Sequence, residues 1–155
     1  MIIGRPDAAI DGVFKLGSFA DKARLKISEN VKKTTLPGEK KVWRMLDEHG
    51  QFFADCISLK EESLPEMMIH PFQKDKTLSF KGFRGEDLFV CHMEKGSILN
   101  NDKDIRVIRE RLEQRLSQLP GEHKRFDFPH IYKVGISGRL AGLRQELLEQ
   151  YLKFS

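Results

Sequence analysis

The 155-residue sequence predicts an α+β fold, with a strand-rich segment over about residues 10–100 followed by two amphipathic helices at about 102–119 and 137–153. Three observations carry this reading. Short apolar or alternating runs broken by Gly and Pro fill the first two thirds, as strands and turns do. In the last third the apolar spacing changes to three and four, the period of a helix with one buried face. The two patterns are segregated along the chain rather than interleaved, which separates α+β from α/β. No internal repeat, low-complexity tract or linker divides the chain. It reads as one domain in three stretches: a basic segment over 1–45, a β-rich segment over 46–100 and a helical segment over 101–155.

Gly12-Val13-Phe14-Lys15-Leu16 is a short apolar run ended by Gly17. Ala23-Arg24-Leu25-Lys26-Ile27-Ser28 alternates, which places Leu25 and Ile27 on one strand face and Arg24, Lys26 and Ser28 on the other. Leu36-Pro37-Gly38 marks a turn, because Pro presets φ and Gly tolerates the left-handed position after it. Val42 to Leu46 and Gln51 to Leu59 form a hairpin through Asp47-Glu48-His49-Gly50, with Trp43 in the core. Met67 to His70, Thr77 to Phe83 and Leu88 to Met93 are further strands, punctuated by Gly82, Gly85 and Gly96.

Over 103–119, Ile105, Ile108, Leu112, Leu116 and Leu119 line one helical face. Asn101 or Asp102 caps its start and Pro120-Gly121 stops it. Arg106, Arg109, Glu110, Arg111, Glu113 and Arg115 form the opposite, solvated face. The second helix starts at the N-cap Ser137 and carries Leu140, Leu143, Leu147, Leu148 and Tyr151 inward, with Glu149 and Lys153 as an i, i+4 pair. Both helices read as packing elements. The linker from Phe126 to Lys133 is extended, and its aromatics predict packing along the sheet or the helices.

Composition narrows the function. At 39% hydrophobic and 32% charged residues with 11 Phe, the chain is soluble and globular rather than disordered. No window approaches the roughly 18 apolar residues of a membrane span. The start lacks the basic and apolar regions of a secretory signal. Cys56 and Cys91 lie outside any CxxC, so the reducing cytoplasm is the expected compartment. Residues 1–45 hold ten Lys and Arg against five acids, whereas the remainder holds seventeen against eighteen. The whole net charge of +4 therefore resides in the first third. Such a segment faces an anion (a phosphate, a nucleic acid or an acidic partner) or is a set of solvated lysines.

No dinucleotide fingerprint, phosphate loop or HExxH is present. The five histidines never fall at a spacing that brings two to one metal, and no Ser or Cys sits in a nucleophile elbow. Cys91-His92 reads as a core cysteine beside a surface histidine. Glu61-Glu62 and Glu86-Asp87 read as solvated loop acids. The residues thus assign neither a catalytic group nor a metal site.

Residues 7–16, residues 24–30 with 33–38, residues 70–72 with 81–84, and residues 129–137 with 143–147 together resemble nicotinate phosphoribosyltransferases. Asp7-Ala8-Ala9-Ile10-Asp11-Gly12-Val13-Phe14-Lys15-Leu16 is similar to the family's small-residue run ending Val-Tyr-Lys-Leu, with Phe14 for Tyr and Asp11-Gly12 for two glycines. Arg24-Leu25-Lys26-Ile27-Ser28-Glu29-Asn30, with Lys33-Thr34-Thr35-Leu36-Pro37-Gly38, matches its K-hydrophobic-S-E and K-T-T-L-P-G pattern. His70-Pro71-Phe72 with Lys81-Gly82-Phe83-Arg84 resembles its HPF and GxR segment. Pro129 to Ser137, followed by Leu143-Arg144-Gln145-Glu146-Leu147, resembles its C-terminal end. The stretches are in order and spread over nearly the whole chain.

The resemblance implies the C-terminal domain of a larger enzyme that makes nicotinate mononucleotide from nicotinate and phosphoribosyl pyrophosphate with ATP hydrolysis, in NAD biosynthesis and salvage. The upstream barrel of that enzyme would hold the nicotinate pocket, the phosphorylated histidine and the ribose-phosphate loop. The chain is expected to begin just after that loop and to be inactive alone. Mg²⁺ and ATP belong to the intact enzyme, with no cofactor expected on this part. The expected partners are the upstream barrel and a second copy in a homodimer, not nucleic acid or membrane. Lys15, Lys26 and Lys33 correspond to lysines that the related nicotinamide enzyme offers to a neighbouring active site, so they would contact phosphate or pyrophosphate. Against that role stands a solvated strand edge for Lys15 and a solvated strand face for Lys26. Lys33 precedes Thr34-Thr35, whose hydroxyls would assist. Arg24, Lys40 and Lys41 read as solvent-facing. The competing reading of the whole is a non-catalytic interaction or nucleic-acid-binding module, although aromatics do not interleave with the bases as stacking platforms require.

Overall fold

A computed structural model describes residues 15–28, 33–99 and 104–153. Of the first apolar run, Gly12 to Phe14 lie outside the described residues, as do Asn101 and Asp102. In chain order the elements are β1 (Ser18–Phe19), β2 (Lys22–Ala23), β3 (Lys40–Leu46), β4 (Phe52–Leu59), β5 (Met67–His70), β6 (Gln73–Ser79), β7 (Arg84–Asp87), β8 (Met93–Glu94), β9 (Ser97–Ile98), α1 (Ile105–Gln118), β10 (Lys133–Ile136) and α2 (Gly138–Lys153). A six-stranded mixed sheet in the order β6-β5-β10-β4-β3-β7 forms the body, and β1-β2 and β8-β9 are separate small hairpins. The fold class is α+β, as the sequence predicts. No helix among the described residues is long and apolar enough to cross a membrane.

The β3–β4 hairpin forms where the sequence places it, with Trp43 opposite Cys56 and Met45 opposite Ala54. The Asp47 side chain closes its turn by accepting from the backbone N–H groups of His49 (2.9 Å) and Gln51 (2.8 Å). Met45, Ala54, Cys56, Met68 and Phe80 make one buried cluster, with half-buried Trp43 packed against it. Leu59, Ile136 and Leu140 make a second, joined by Leu36, Ile57, Ile69 and Leu143.

Three strands differ from the sequence reading. Thr77 to Phe83 is replaced by Gln73–Ser79, because Phe83 N–H returns to the Phe80 carbonyl (3.0 Å) and turns the chain there. Leu88 to Met93 is replaced by Arg84–Asp87, which ends when the Asp87 carboxylate accepts from Phe89 N–H (2.9 Å). Cys91 is consequently exposed rather than in the core. Ala23 to Ser28 contributes only its first residue to a strand.

The strand β10 has no counterpart in the sequence reading. It inserts between β5 and β4, parallel to β4 with Gly135 opposite Cys56 and Ile136 opposite Ile57. A Cβ on Gly135 would lie 2.6 Å from Met68 Sδ and 3.0 Å from the Ile69 carbonyl oxygen, so this interior strand requires glycine. Phe126, Phe128 and Ile131 in the preceding linker are 92% or more exposed, against the expectation that they pack. Only Tyr132 turns in, donating to Asp55 (3.1 Å).

The two helices behave differently. Ser137 caps α2 as expected, its Oγ accepting from Leu140 N–H (3.1 Å). The same hydroxyl donates to Glu62 (2.7 Å), whose carboxylate also accepts from Leu59 N–H (2.7 Å). Glu62 is thus buried, not a solvated loop acid, while its neighbour Glu61 meets Arg139 at the surface (3.3 Å). Helix α1 is capped by Asp104, which accepts from Arg106 N–H (2.9 Å), and none of its residues is buried. Ile105 is 72% and Leu112 56% exposed. The helix is anchored from its supposed solvent face instead: Arg115 pairs with Glu86 (2.8 Å), and Gln118 donates to the Gly50 carbonyl (3.2 Å).

Two outcomes follow from this packing. Burial pushes the Cys56 thiol up to about 12, and only thiolate reacts. Thiol titration of the folded protein at pH 8 is expected to count one reactive cysteine, Cys91, with Cys56 appearing only on unfolding. Gly135→Ala is expected to lower stability by about 1–3 kcal/mol, measured by urea unfolding.

Candidate functional site

The basic segment is built on short backbone stitches rather than on a large sheet. Strands β1 and β2 pair through a two-residue turn in which Ala20 (φ 49°) and Asp21 (φ 57°) are both left-handed. The Gly17 carbonyl accepts from Arg24 N–H (2.8 Å) and from Gly38 N–H (2.7 Å), tying the hairpin's base to the Leu36-Pro37-Gly38 turn. Gly38 has φ 77°, the left-handed geometry that favours glycine. Further along, Lys26 N–H donates to Thr35 Oγ1 (2.9 Å), and Thr35 N–H returns to the Lys26 carbonyl (3.2 Å).

These stitches align the three segments that bear the predicted site residues. Lys15 lies two residues before Gly17, Lys26 is on the stitch to Thr35, and Lys33 lies two residues before that threonine. All three side chains are exposed, and none is in an ion pair among the described residues. The segment so stitched is a basic edge whose three lysines face solvent. Exposed positive charge of this kind attracts anions. Thr35 does not fit the assisting role, because it is buried and its hydroxyl holds Lys26 N–H.

Lys40, read from sequence as solvent-facing, is half-buried. Its Nζ donates to the carbonyls of Leu36 (3.0 Å) and Gly38, and burial pulls its pKa below the ordinary lysine range. A Cβ on Gly17 would lie 2.9 Å from that Nζ, so glycine makes the approach possible. Arg24 remains exposed, and Lys41 lies over the Trp43 ring at 4.5 Å.

A second polar cluster, absent from the sequence reading, fills the cleft between α1 and the sheet. Arg44 makes a bidentate contact with Asp55 (2.9 and 2.8 Å), and the Phe52 ring lies against the guanidinium groups of both Arg44 (4.2 Å) and Arg115 (4.9 Å). Burial, reinforced by the Asp55 carboxylate, pushes the Tyr132 hydroxyl well above the ordinary range. Asp55 sits inside a strand, and nothing local in the sequence distinguishes it. Its charges are mutually matched, so this cluster holds the structure together rather than offering a reactive group. Among the described residues, no group of three His, Cys, Asp or Glu side chains is placed to hold a metal ion.

The relatives bear on what such an edge serves. The sequence profile of the nicotinate phosphoribosyltransferase C-terminal domain matches residues 39–144. The chain is 30% identical to nicotinate phosphoribosyltransferase of Mus musculus over 139 residues, covering 87% of this chain and 26% of that protein. It is 29% identical to the Bacillus subtilis enzyme of the same name over 146 residues, covering 88% of this chain and 30% of that one. The crystal structure of human nicotinic acid phosphoribosyltransferase superposes with a TM-score of 0.68 at 28% identity, covering 74% of this chain and 24% of that one. The chain therefore spans between 24% and 30% of the length of these relatives. By its profile match, its sequence relatives and its fold together, the chain belongs to the nicotinate phosphoribosyltransferase C-terminal domain family.

Proposed function

We propose that this chain acts as the C-terminal part of an enzyme forming nicotinate mononucleotide from nicotinate and phosphoribosyl pyrophosphate, coupled to ATP hydrolysis in NAD biosynthesis. In this reading it packs on an upstream barrel, within a cytoplasmic homodimer, and offers Lys15, Lys26 and Lys33 to phosphate or pyrophosphate. The observation that carries the reading is the family match over residues 39–144, adjoining an edge whose three lysines are exposed and free of ion pairs. The uncovered apolar stripe of α1 supports the packing role, since an exposed contiguous apolar face marks an interaction surface.

The chemistry asked of these lysines is electrostatic. As nicotinate attacks C1 of the ribose, negative charge grows on the departing pyrophosphate, and cations already in place lower the barrier. Mg²⁺ would supply part of that charge in the intact enzyme; among the described residues no group of three His, Cys, Asp or Glu side chains is placed to hold a metal ion alone. Metal and ATP would belong to the upstream part, leaving this chain to hold oxygens of the leaving group.

The test is turnover of nicotinate with phosphoribosyl pyrophosphate and ATP, on the chain alone and mixed with a separately made upstream barrel. Activity is expected in the mixture only. Silence despite demonstrated association would overturn the complementing role. Lys15→Gln, Lys26→Gln and Lys33→Gln are each expected to lower kcat/KM for phosphoribosyl pyrophosphate in the mixture by about tenfold. That is less than the roughly 10²–10³ for a sequestered oxyanion donor, because the edge is screened by solvent. The exposed neighbour Arg24→Gln should leave turnover unchanged. Wild-type rates in all three lysine variants would remove them from the site.

A further inference from the structure

Two stretches that stand out in the sequence, and that the lysine edge does not use, meet across the sheet. One is His70-Pro71-Phe72, at the turn between β5 and β6; the other is Leu143-Arg144-Gln145, on α2. Arg144 is only 9% exposed. Its Nη1 donates to the Pro71 carbonyl (2.8 Å), while its buried Nε has no acceptor. No carboxylate pairs with it among the described residues. A guanidinium removed from water without a counter-charge is unfavourable unless an anion joins it.

Arg144 lines a cavity of about 220 Å³ between α2 and this turn. His70, Lys74 and Gln145 supply its other polar groups, Ile136 and Leu148 supply apolar wall, and among the described residues no Asp or Glu lines it. Phe72 N–H donates to His70 Nδ1 (3.2 Å), which makes Nδ1 the acceptor and leaves Nε2–H as a donor. Lys74 is held at the rim by donating to Gln145 Oε1 (2.7 Å), while Gln145 Nε2 engages Glu149 one turn on (2.6 Å) and Glu146 is exposed. On the other side of the same turn, a cavity of about 510 Å³ shares His70 and adds Lys76 and Lys133, again with no lining carboxylate. The turn thus sits between two cationic, acid-free clefts, remote in sequence from residues 1–45.

We infer that the cleft around Arg144 is an anion site for a phosphate group, with the buried guanidinium at its floor and Lys74 and His70 Nε2–H at its rim. Two fixed positive charges and a neutral donor match a phosphate dianion, whereas a monocarboxylate would leave one cation uncompensated. The proposal stands whether or not the lysine edge serves catalysis.

The experiment follows the Arg144 Nε–H resonance in ¹⁵N-labelled full chain, assigned by its loss in Arg144→Lys, during titration with inorganic phosphate. Thermal unfolding is recorded in parallel. A saturable shift and a phosphate-dependent rise in Tm are expected. Both should persist when Lys15, Lys26 and Lys33 are all replaced by Gln, and the apparent Kd should rise about tenfold in Lys74→Gln. Acetate at matched ionic strength should do neither. Tighter binding of glycerol 3-phosphate than of inorganic phosphate would identify a phosphate ester as the ligand, and the reverse order free phosphate. An unmoved resonance with unchanged Tm would overturn the proposal. So would equal shifts with acetate, loss of the effect in the triple-lysine variant, or a wild-type titration in Lys74→Gln.

Discussion

The Glu62 carboxylate accepts from Leu59 N–H at the end of β4 and from the Ser137 hydroxyl at the start of α2, with both residues at most 8% exposed. A buried carboxylate with no cation beside it is tolerable only when hydrogen bonds replace its hydration. Those bonds join two chain positions 75 residues apart. Ser137 N–H also reaches the Ile57 carbonyl (2.9 Å), so β10 runs straight into the corner. With its first turn fixed, α2 packs through Leu140 with Leu59 and Ile136, and Leu36 and Leu143 both pack against that cluster. The Leu36-Pro37-Gly38 turn in turn holds the Gly17 carbonyl and the Lys40 ammonium. The placement of the lysine edge therefore descends, contact by contact, from one carboxylate. Arg144 reaches Pro71 from the same helix and depends on the same corner.

Cations in this chain divide by what faces them. Arg44 with Asp55, Arg115 with Glu86, Lys60 with Glu39 and Arg139 with Glu61 are paired and tie elements together. The exposed pairs among them contribute little to stability; the half-buried Arg44–Asp55 contact, reinforced by Tyr132, is the firmest. Among the described residues Lys15, Lys26 and Lys33 lack such partners, as the proposed anion-facing role would require. Arg144 lacks one too but is buried, and that difference separates an electrostatic edge from an enclosed anion site.

Local patterns in the sequence were legible where local physics decides the outcome. The β3–β4 hairpin follows from two apolar runs around the Asp47-Glu48-His49-Gly50 turn, the Gly38 turn from left-handed backbone, and the α2 start from a serine cap. What was not legible depends on distant partners. The strand β10 is four residues with a glycine inside, and only Met68 and Ile69 across the sheet explain why glycine is needed there. Glu62 looks like Glu61 until Ser137 arrives beside it. Lys40 looks like any strand lysine until the Leu36 and Gly38 carbonyls converge on it. The apolar stripe of α1 is a true helical face, but periodicity cannot say what covers it, and among the described residues nothing buries it. The three lysines were named through resemblance; the backbone stitches that link their segments are invisible in the sequence.

The dependence of the fold on the Glu62–Ser137 corner is tested most directly by a double-mutant cycle, with urea unfolding of Glu62→Ala, Ser137→Ala and the double variant. Direct coupling through a buried hydrogen bond predicts that each single change destabilises the chain, and that the double falls short of their sum by about 1–3 kcal/mol. Effects that add to within about 0.5 kcal/mol would show that the two groups act independently, and would contradict the account of how α2 and the lysine edge are held.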